Sequence, residues 1–180
     1  MQPLTLTTPK PLLKVGGQPL IEHCIKKLVS ADFKNIVINL SHLGDQIEAY
    51  CGNGERWGAR IDYSNEGELP LETAGGIALA LPLLGQKPFL VINADIICNY
   101  PLQNLHHQVI DLAHLVMIDN PPHHPQGDFG LEPSGHLSHN HTETLTFSGI
   151  GVYDPLLFKG IKPEPLKLRP ILNQSISDQR

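Results

Sequence analysis

The sequence predicts an α/β domain with parallel strands and with helices covering both faces of the sheet. Three observations predict it. Pro88 to Asp95, PFLVINAD, is a continuous apolar run ending in an acid, the pattern of a strand buried on both sides rather than one with a wet face. Ile36 to Leu40, IVINL, and Ala113 to Asp119, AHLVMID, have the same character. Between such runs the apolar period becomes helical, and helix alternating with strand implies right-handed crossovers between parallel strands.

Taken in order, Met1 to Leu13, MQPLTLTTPKPLL, is rich in proline and threonine and reads as an extended loop. Lys10 sits inside it between Pro9 and Pro11. The two prolines stiffen the backbone around the ammonium, which suits a lysine held ready for a phosphate; a solvated loop lysine fits the same residues. Leu20, Ile21, Cys24, Ile25, Leu28 and Val29 then recur at helical spacing opposite Glu22, Lys26 and Lys27, which predicts an amphipathic helix over about 19–31. After the Ile36–Leu40 strand come a short helix over 43–50, a CGNG turn at 51–54 and a second strand over 59–63. Asn65 to Gly76, NEGELPLETAGG, begins as a loop, and a helix opens at Thr73 and runs to about Leu84. Free N–H groups at a helix start, with Gly75 and Gly76 beside them, would let a base or a phosphate approach the backbone; a simple start capped by Thr73 is the alternative.

The second half is less regular. Gly127 to Leu137 carries the turn residues of an antiparallel excursion, and Thr144 to Tyr153, TLTFSGIGVY, reads as a strand interrupted by Gly149 and Gly151. Glycine inside a strand marks a bulge or the close approach of a ligand. His106, His107, His114, His123, His124, His136, His139 and His141 crowd this half. The HLSHNH segment has neither the helix nor the cysteines of a zinc motif, so these read as surface loop histidines.

A chain of 180 residues that is 41% hydrophobic suits one globular domain, residues 1–180. A formal net charge of -5 and the lack of a dense Lys/Arg run argue against a nucleic-acid partner. No apolar stretch approaches the ~20 residues that span a bilayer, and no signal peptide pattern is seen, so no membrane partner is expected and the expected location is the cytoplasm. Cys24, Cys51 and Cys98 lack CxxC spacing and read as reduced, buried thiols. In open α/β sheets ligands bind beyond the carboxyl ends of the strands, where Asn93 and Asp95 emerge. Asp95 is therefore a candidate metal ligand, with a turn cap as the alternative.

Five segments together, PLTLTTPKPLLKVGGQPLIEH, INLSHLGDQIEAYCGNGERWGARIDYSNE, LPLETAGGIALALPLLG, INADI and TLTFSGIGVY, resemble the sugar-1-phosphate nucleotidyltransferase family over nearly the whole chain. The resemblance implies a Rossmann-like nucleotidyltransferase fold with a mixed, mostly parallel sheet. It also implies direct transfer, in which a sugar 1-phosphate oxygen attacks the α-phosphate of a nucleoside triphosphate, expected to be UTP, and pyrophosphate leaves. Mg²⁺ is the implied cofactor and peptidoglycan recycling the implied setting. By resemblance Lys10 matches the phosphate-binding lysine of the family's PKPL motif, and Asp95 matches its metal-binding acid. Glu72, Thr73, Gly75 and Gly76 match the segment that meets the nucleotide, while Asn93, Asp128 and Gly149 lie where members contact the sugar phosphate. The family's glycine-rich LAAGxGxRM loop and its W-x-D-V-G-T segment have no counterpart here, so the chain is expected to be truncated at both termini. The alternative within the family is a glucose-1-phosphate thymidylyl- or mannose-1-phosphate guanylyltransferase, and an inactive fragment that binds ligand or a partner is the alternative from another class.

Overall fold

The computed structural model describes residues 5, 7–67, 69–139 and 143–178. The expected proline loop contains a 3-10 turn at Lys10–Leu12, followed by a minimal hairpin of β1 (Lys14–Val15) and β2 (Gln18–Pro19). Residues 1–4 and 6 of that loop lie outside the described residues. Pro19, with its φ already fixed, precedes α1 (Leu20–Ser30), which buries Leu20, Ile21, Cys24, Ile25 and Leu28 on one stripe.

β3 (Asn35–Leu40) and β4 (Arg60–Asn65) pair in parallel, in register from Asn35 with Arg60 to Leu40 with Asn65. α2 (Gly44–Cys51) makes the crossover between them and packs Ile47 and Cys51 against Leu40 and Ile61. α3 (Glu72–Leu84) leads to β5 (Phe89–Ile92). β6 (Ala113–Ile118), the excursion of β7 (Phe129–Leu131) and β8 (Leu137–Ser138), and the long β9 (Thr144–Tyr153) complete the sheet.

β9 is the centre of that second sheet. Its last residues pair antiparallel with β5, Phe89 facing Tyr153 and Ile92 facing Ile150. The same residues pair antiparallel with β6 on the opposite edge, Ala113 facing Tyr153, so β5 and β6 run parallel to each other on either side of it. The α/β class therefore holds, but a mostly parallel sheet is corrected: parallel hydrogen bonding is found only between β3 and β4 among the described residues. The physical reason is the β7–β8 excursion, which turns the chain back without a crossover helix and returns β9 against the direction of its neighbours.

Helices do cover both faces. Ile150 and Val152 point to Cys24 and Leu28 of α1, while Tyr153, one residue on, packs with Ala74 and Ile77 of α3. The same layer takes Leu168 and Leu172 of α4 (Leu168–Ser177), a helix in a stretch to which the sequence pattern assigns nothing. Phe158, wholly buried between α3 and the sheet, contributes about 1.5–3 kcal/mol by its removal from water. The alternative of an α3 start capped by Thr73 is not realised. The helix begins at Glu72, Thr73 lies within it, and no side chain caps it, because the donors at its start are engaged from elsewhere in the chain.

Candidate functional site

Chemistry gathers where β5 ends. The strand stops at Ile92, and Asn93, Ala94 and Asp95 emerge from its carboxyl end. Ala94 packs on the cluster of Ile21, Ile25 and Leu40, and so does Leu12, two residues after Lys10. With both neighbours anchored on one apolar patch, the polar side chains between them meet: Lys10 Nζ donates to Asp95 Oδ2. The side chains are 44% and 28% exposed, and a pair so close to water stabilises the fold by no more than about 1 kcal/mol. Its placement matters more than its strength.

Asn93 joins the pair to β9. Its N–H donates to the Gly149 carbonyl at 3.2 Å. Gly149 has φ of 82°, and a Cβ there would sit 2.6 Å from Asn93 Nδ2 and 2.8 Å from Ile96 Cδ1. It lies where the β6–β9 register shifts between Leu115 and Met117. The glycine is thus a bulge that brings Asn93 onto the strand. Asp128, just before β7, is tied to β9 two residues earlier, its Oδ2 accepting from the Phe147 N–H at 2.9 Å. Its Oδ1 accepts from Arg169 Nη1 of α4 at 2.8 Å, and His124 Nε2 lies 3.5 Å from the same oxygen.

The start of α3 forms a second group. Glu72 and Thr73 are exposed, and Glu72 has a left-handed backbone with φ of 58°, a conformation that persists only when its surroundings fix it. They do. On its N-terminal side the Leu71 N–H donates to Glu66 Oε2 at 2.8 Å, and the Leu71 carbonyl accepts from the Leu166 N–H at 3.0 Å. On its C-terminal side the Leu166 carbonyl accepts from the N–H groups of Ala74 and Gly75 at 2.9 and 3.3 Å. Gly75 and Gly76 are buried. The Glu164 carbonyl oxygen occupies the space of a Cβ on Gly75, and Glu66 Oε1 and Asn39 Nδ2 lie 2.5 and 2.6 Å from one on Gly76.

Lys10, Asp95, Asn93 and Gly149 are therefore brought together, with Asp128 adjoining through β9. Glu72, Thr73, Gly75 and Gly76 form a group of their own, with Gly76 lying close to Asn39 of β3. No hydrogen bond joins it to the first group among the described residues. Glu66, Asn39, Leu166 and Arg169 are the residues that reading the sequence misses. The helical spacing of Leu168, Ile171, Leu172 and Ile176 could have exposed α4 and hence Arg169.

Among the described residues no three His, Cys, Asp or Glu side chains are grouped to hold a metal. Reading all the histidines as surface loop residues is corrected for His114, which lies in β6, where burial lowers the pKa of its imidazole. His106 is exposed in a turn, where it stacks on Phe33 at 4.0 Å with Nε2 2.5 Å from the Ala31 carbonyl. His141 lies outside the described residues. The three cysteines are free, Cys24 and Cys51 buried and Cys98 partly so. No described helix is long and apolar enough to cross a membrane.

The chain is similar to known proteins along its length. The nucleotidyl transferase family model matches residues 1–142. An N-acetylmuramate alpha-1-phosphate uridylyltransferase of Neisseria meningitidis is 46% identical over 188 residues, covering 100% of this chain and 81% of that protein. A mannose-1-phosphate guanyltransferase of Aspergillus fumigatus is 42% identical over 108 residues, covering 58% of this chain and 29% of its own length. In structure, a Bacillus anthracis protein assigned as a glucose-1-phosphate thymidylyltransferase superposes with a TM-score of 0.77 at 22% identity, over 99% of this chain and 78% of its own, which establishes the Rossmann-like nucleotidyltransferase fold.

Proposed function

Because the chain belongs to the nucleotidyl transferase family, we propose that it is the sugar-1-phosphate nucleotidyltransferase joining UTP to N-acetylmuramate 1-phosphate, a cytoplasmic step of peptidoglycan recycling. The observation that carries this reading is the 46% identity, over the whole chain, to an N-acetylmuramate uridylyltransferase. The Lys10–Asp95 pair supports its chemistry. A phosphate oxygen of the sugar 1-phosphate attacks the α-phosphorus of UTP, the bond to the bridging β-phosphate oxygen breaks, and pyrophosphate leaves with that electron pair. Charge builds on the phosphoryl oxygens along the way, so the protein's task is positioning and neutralisation.

Lys10 has three N–H donors and commits one to Asp95, leaving two for phosphate oxygens. Asp95 gives Lys10 only Oδ2 and is part exposed. That donor set fits Mg²⁺, which takes one or two carboxylates and completes its shell with water and substrate phosphates. Bound there, the ion would supply neutralisation of the phosphates. In the same reading Asn93, Gly149 and Asp128 receive the sugar phosphate. The exposed Glu72 and Thr73, on the turn kept in shape by Gly75 and Gly76, receive the nucleotide.

The test is pyrophosphate release from a panel that pairs UTP, GTP and dTTP with N-acetylmuramate, mannose and glucose 1-phosphates. UTP with N-acetylmuramate 1-phosphate should be the best pair by kcat/KM. A best pair of GTP with mannose 1-phosphate would establish the second reading, which the 42% identity over 108 residues favours. No release from any pair would overturn both.

A further inference from the structure

We infer that Arg169 is a positioning residue for the sugar side of the reaction, acting through Asp128. The inference rests on the proposed reading, in which Asp128 receives the sugar phosphate. Arg169 lies in the first turn of α4, and three of its five donors are committed locally. Nη1 donates to Asp128 Oδ1 at 2.8 Å, Nη2 donates to the Asp128 main-chain carbonyl, and Nε donates to Asn173 Oδ1 at 3.2 Å. The guanidinium lies 4.1 Å from the centre of the Phe129 ring, which favours a flat cation over that face. One side chain thus grips both the backbone and the carboxylate of residue 128 and stacks on residue 129.

Asp128 is then fixed from two sides. Oδ2 is held by the Phe147 N–H and Oδ1 by Arg169, while the side chain keeps 25% of its surface exposed, leaving carboxylate lone pairs open to a hydroxyl of the sugar. Phe147 stands two residues before Gly149, whose carbonyl takes Asn93, so β9 carries the orientation of Asp128 directly to the end of β5. Without Arg169 the carboxylate would keep the Phe147 hydrogen bond, with only His124 Nε2 at 3.5 Å beside its other oxygen, and could rotate about that bond. Its contact with the sugar would then have to be ordered on binding, which weakens that binding. Lysine could restore the charge but not the planar fork that spans a carboxylate and a carbonyl while lying on an aromatic ring.

The test measures binding by calorimetry, so that it does not depend on turnover. N-acetylmuramate 1-phosphate and, separately, UTP with Mg²⁺ are titrated into the full chain and into R169M, R169K, D128N and the R169M/D128N double variant, with thermal melts of each. R169M should bind the sugar phosphate about tenfold more weakly and UTP within twofold of the parent. R169K should fall between, and the double variant should be no weaker than D128N alone. Equal weakening for both ligands, additive losses in the double variant, or no change for the sugar phosphate would overturn the role of Arg169. If D128N leaves sugar phosphate binding unchanged, or the parent chain does not bind it, the proposal also falls. If the parent binds both ligands but releases no pyrophosphate, the proposed function fails while this inference stands.

Discussion

Lys10 and Asp95 stand 85 residues apart in the chain and meet as an ion pair at the carboxyl end of β5. Neither position is fixed by the pair itself. Leu12 and Ala94, their near neighbours, share the apolar patch of Ile21, Ile25 and Leu40, so hydrophobic packing places the charges and the charges remain available to a ligand.

Replacing Asp95 by Asn should lower turnover at least ~100-fold, because one centre of charge stabilisation for the phosphoryl oxygens is lost. The melting temperature should hardly change, since a part-exposed pair stabilises little. Lys10→Ala should slow transfer and raise the KM for the triphosphate. Pyrophosphate release at saturating Mg²⁺ checks both, and unchanged turnover in D95N would remove Asp95 from the site.

Gly75→Ala should destabilise the chain by about 1–3 kcal/mol, the cost of forcing a methyl into packed space. The obstacle is the Glu164 carbonyl oxygen, a main-chain atom that cannot swing aside. Relief requires moving the 164–166 segment, and with it the Leu166 bonds to Leu71, Ala74 and Gly75. The KM for the triphosphate should rise with the loss of stability. A melt within 1 °C of the parent would show that the segment yields freely, since ~1 kcal/mol corresponds to about 2–4 °C in a domain of this size.

How far these groups can be read from the sequence follows from the range of the forces that place them. β5 is legible because four consecutive apolar residues and a terminal acid form a local pattern, and α1 because its stripe repeats every turn. The direction of β9 is not local. The TLTFSGIGVY pattern marks a strand, but only the β7–β8 excursion decides that it runs against β5 and β6. Gly149 leaves a bulge or a ligand's approach open in the sequence, and the structure has the bulge; at Gly75 and Gly76 the groups that come close within the fold are Glu164, Glu66 and Asn39. A glycine in the sequence shows that something comes close without showing what. Arg169 is hidden for the same reason, its partner Asp128 lying 41 residues away.

The half-buried His114 should make the fold acid-sensitive. Burial lowers its pKa in the folded state below the ordinary value of about 6.5. Below that value the unfolded chain binds the proton more readily than the folded one, so the contribution of the neutral imidazole is fully present above pH ~6.5 and is lost as pH falls through the folded pKa. Between pH 7.5 and 5.5, His114→Gln should therefore lose less melting temperature than the parent. The expected difference is on the order of 1–2 °C, a fraction of a kcal/mol in a domain of this size. Identical slopes would show that other groups govern the acid limb.

The cysteines should divide by reactivity in the native state. Burial pushes the Cys24 thiol up to about 12, with Cys98 and Asp95 nearby adding to the effect, and pushes Cys51 up to about 11. At pH 8 roughly one Cys24 in ten thousand and one Cys51 in a thousand would be thiolate, the form that attacks a disulfide reagent. Both side chains are also covered, so reaction needs the surrounding structure to open first. Cys98 lies at the edge of the same apolar cluster, part exposed, with its carbonyl held by Lys27 Nζ at 2.9 Å. Titration with an aromatic disulfide reagent at pH 8 should thus show one thiol reacting promptly and two appearing only as denaturant unfolds the chain. Cys98→Ser should abolish the prompt phase and leave the slow one, and three thiols reacting at one rate in buffer would show that the α1 and α2 layers are far looser than their packing implies.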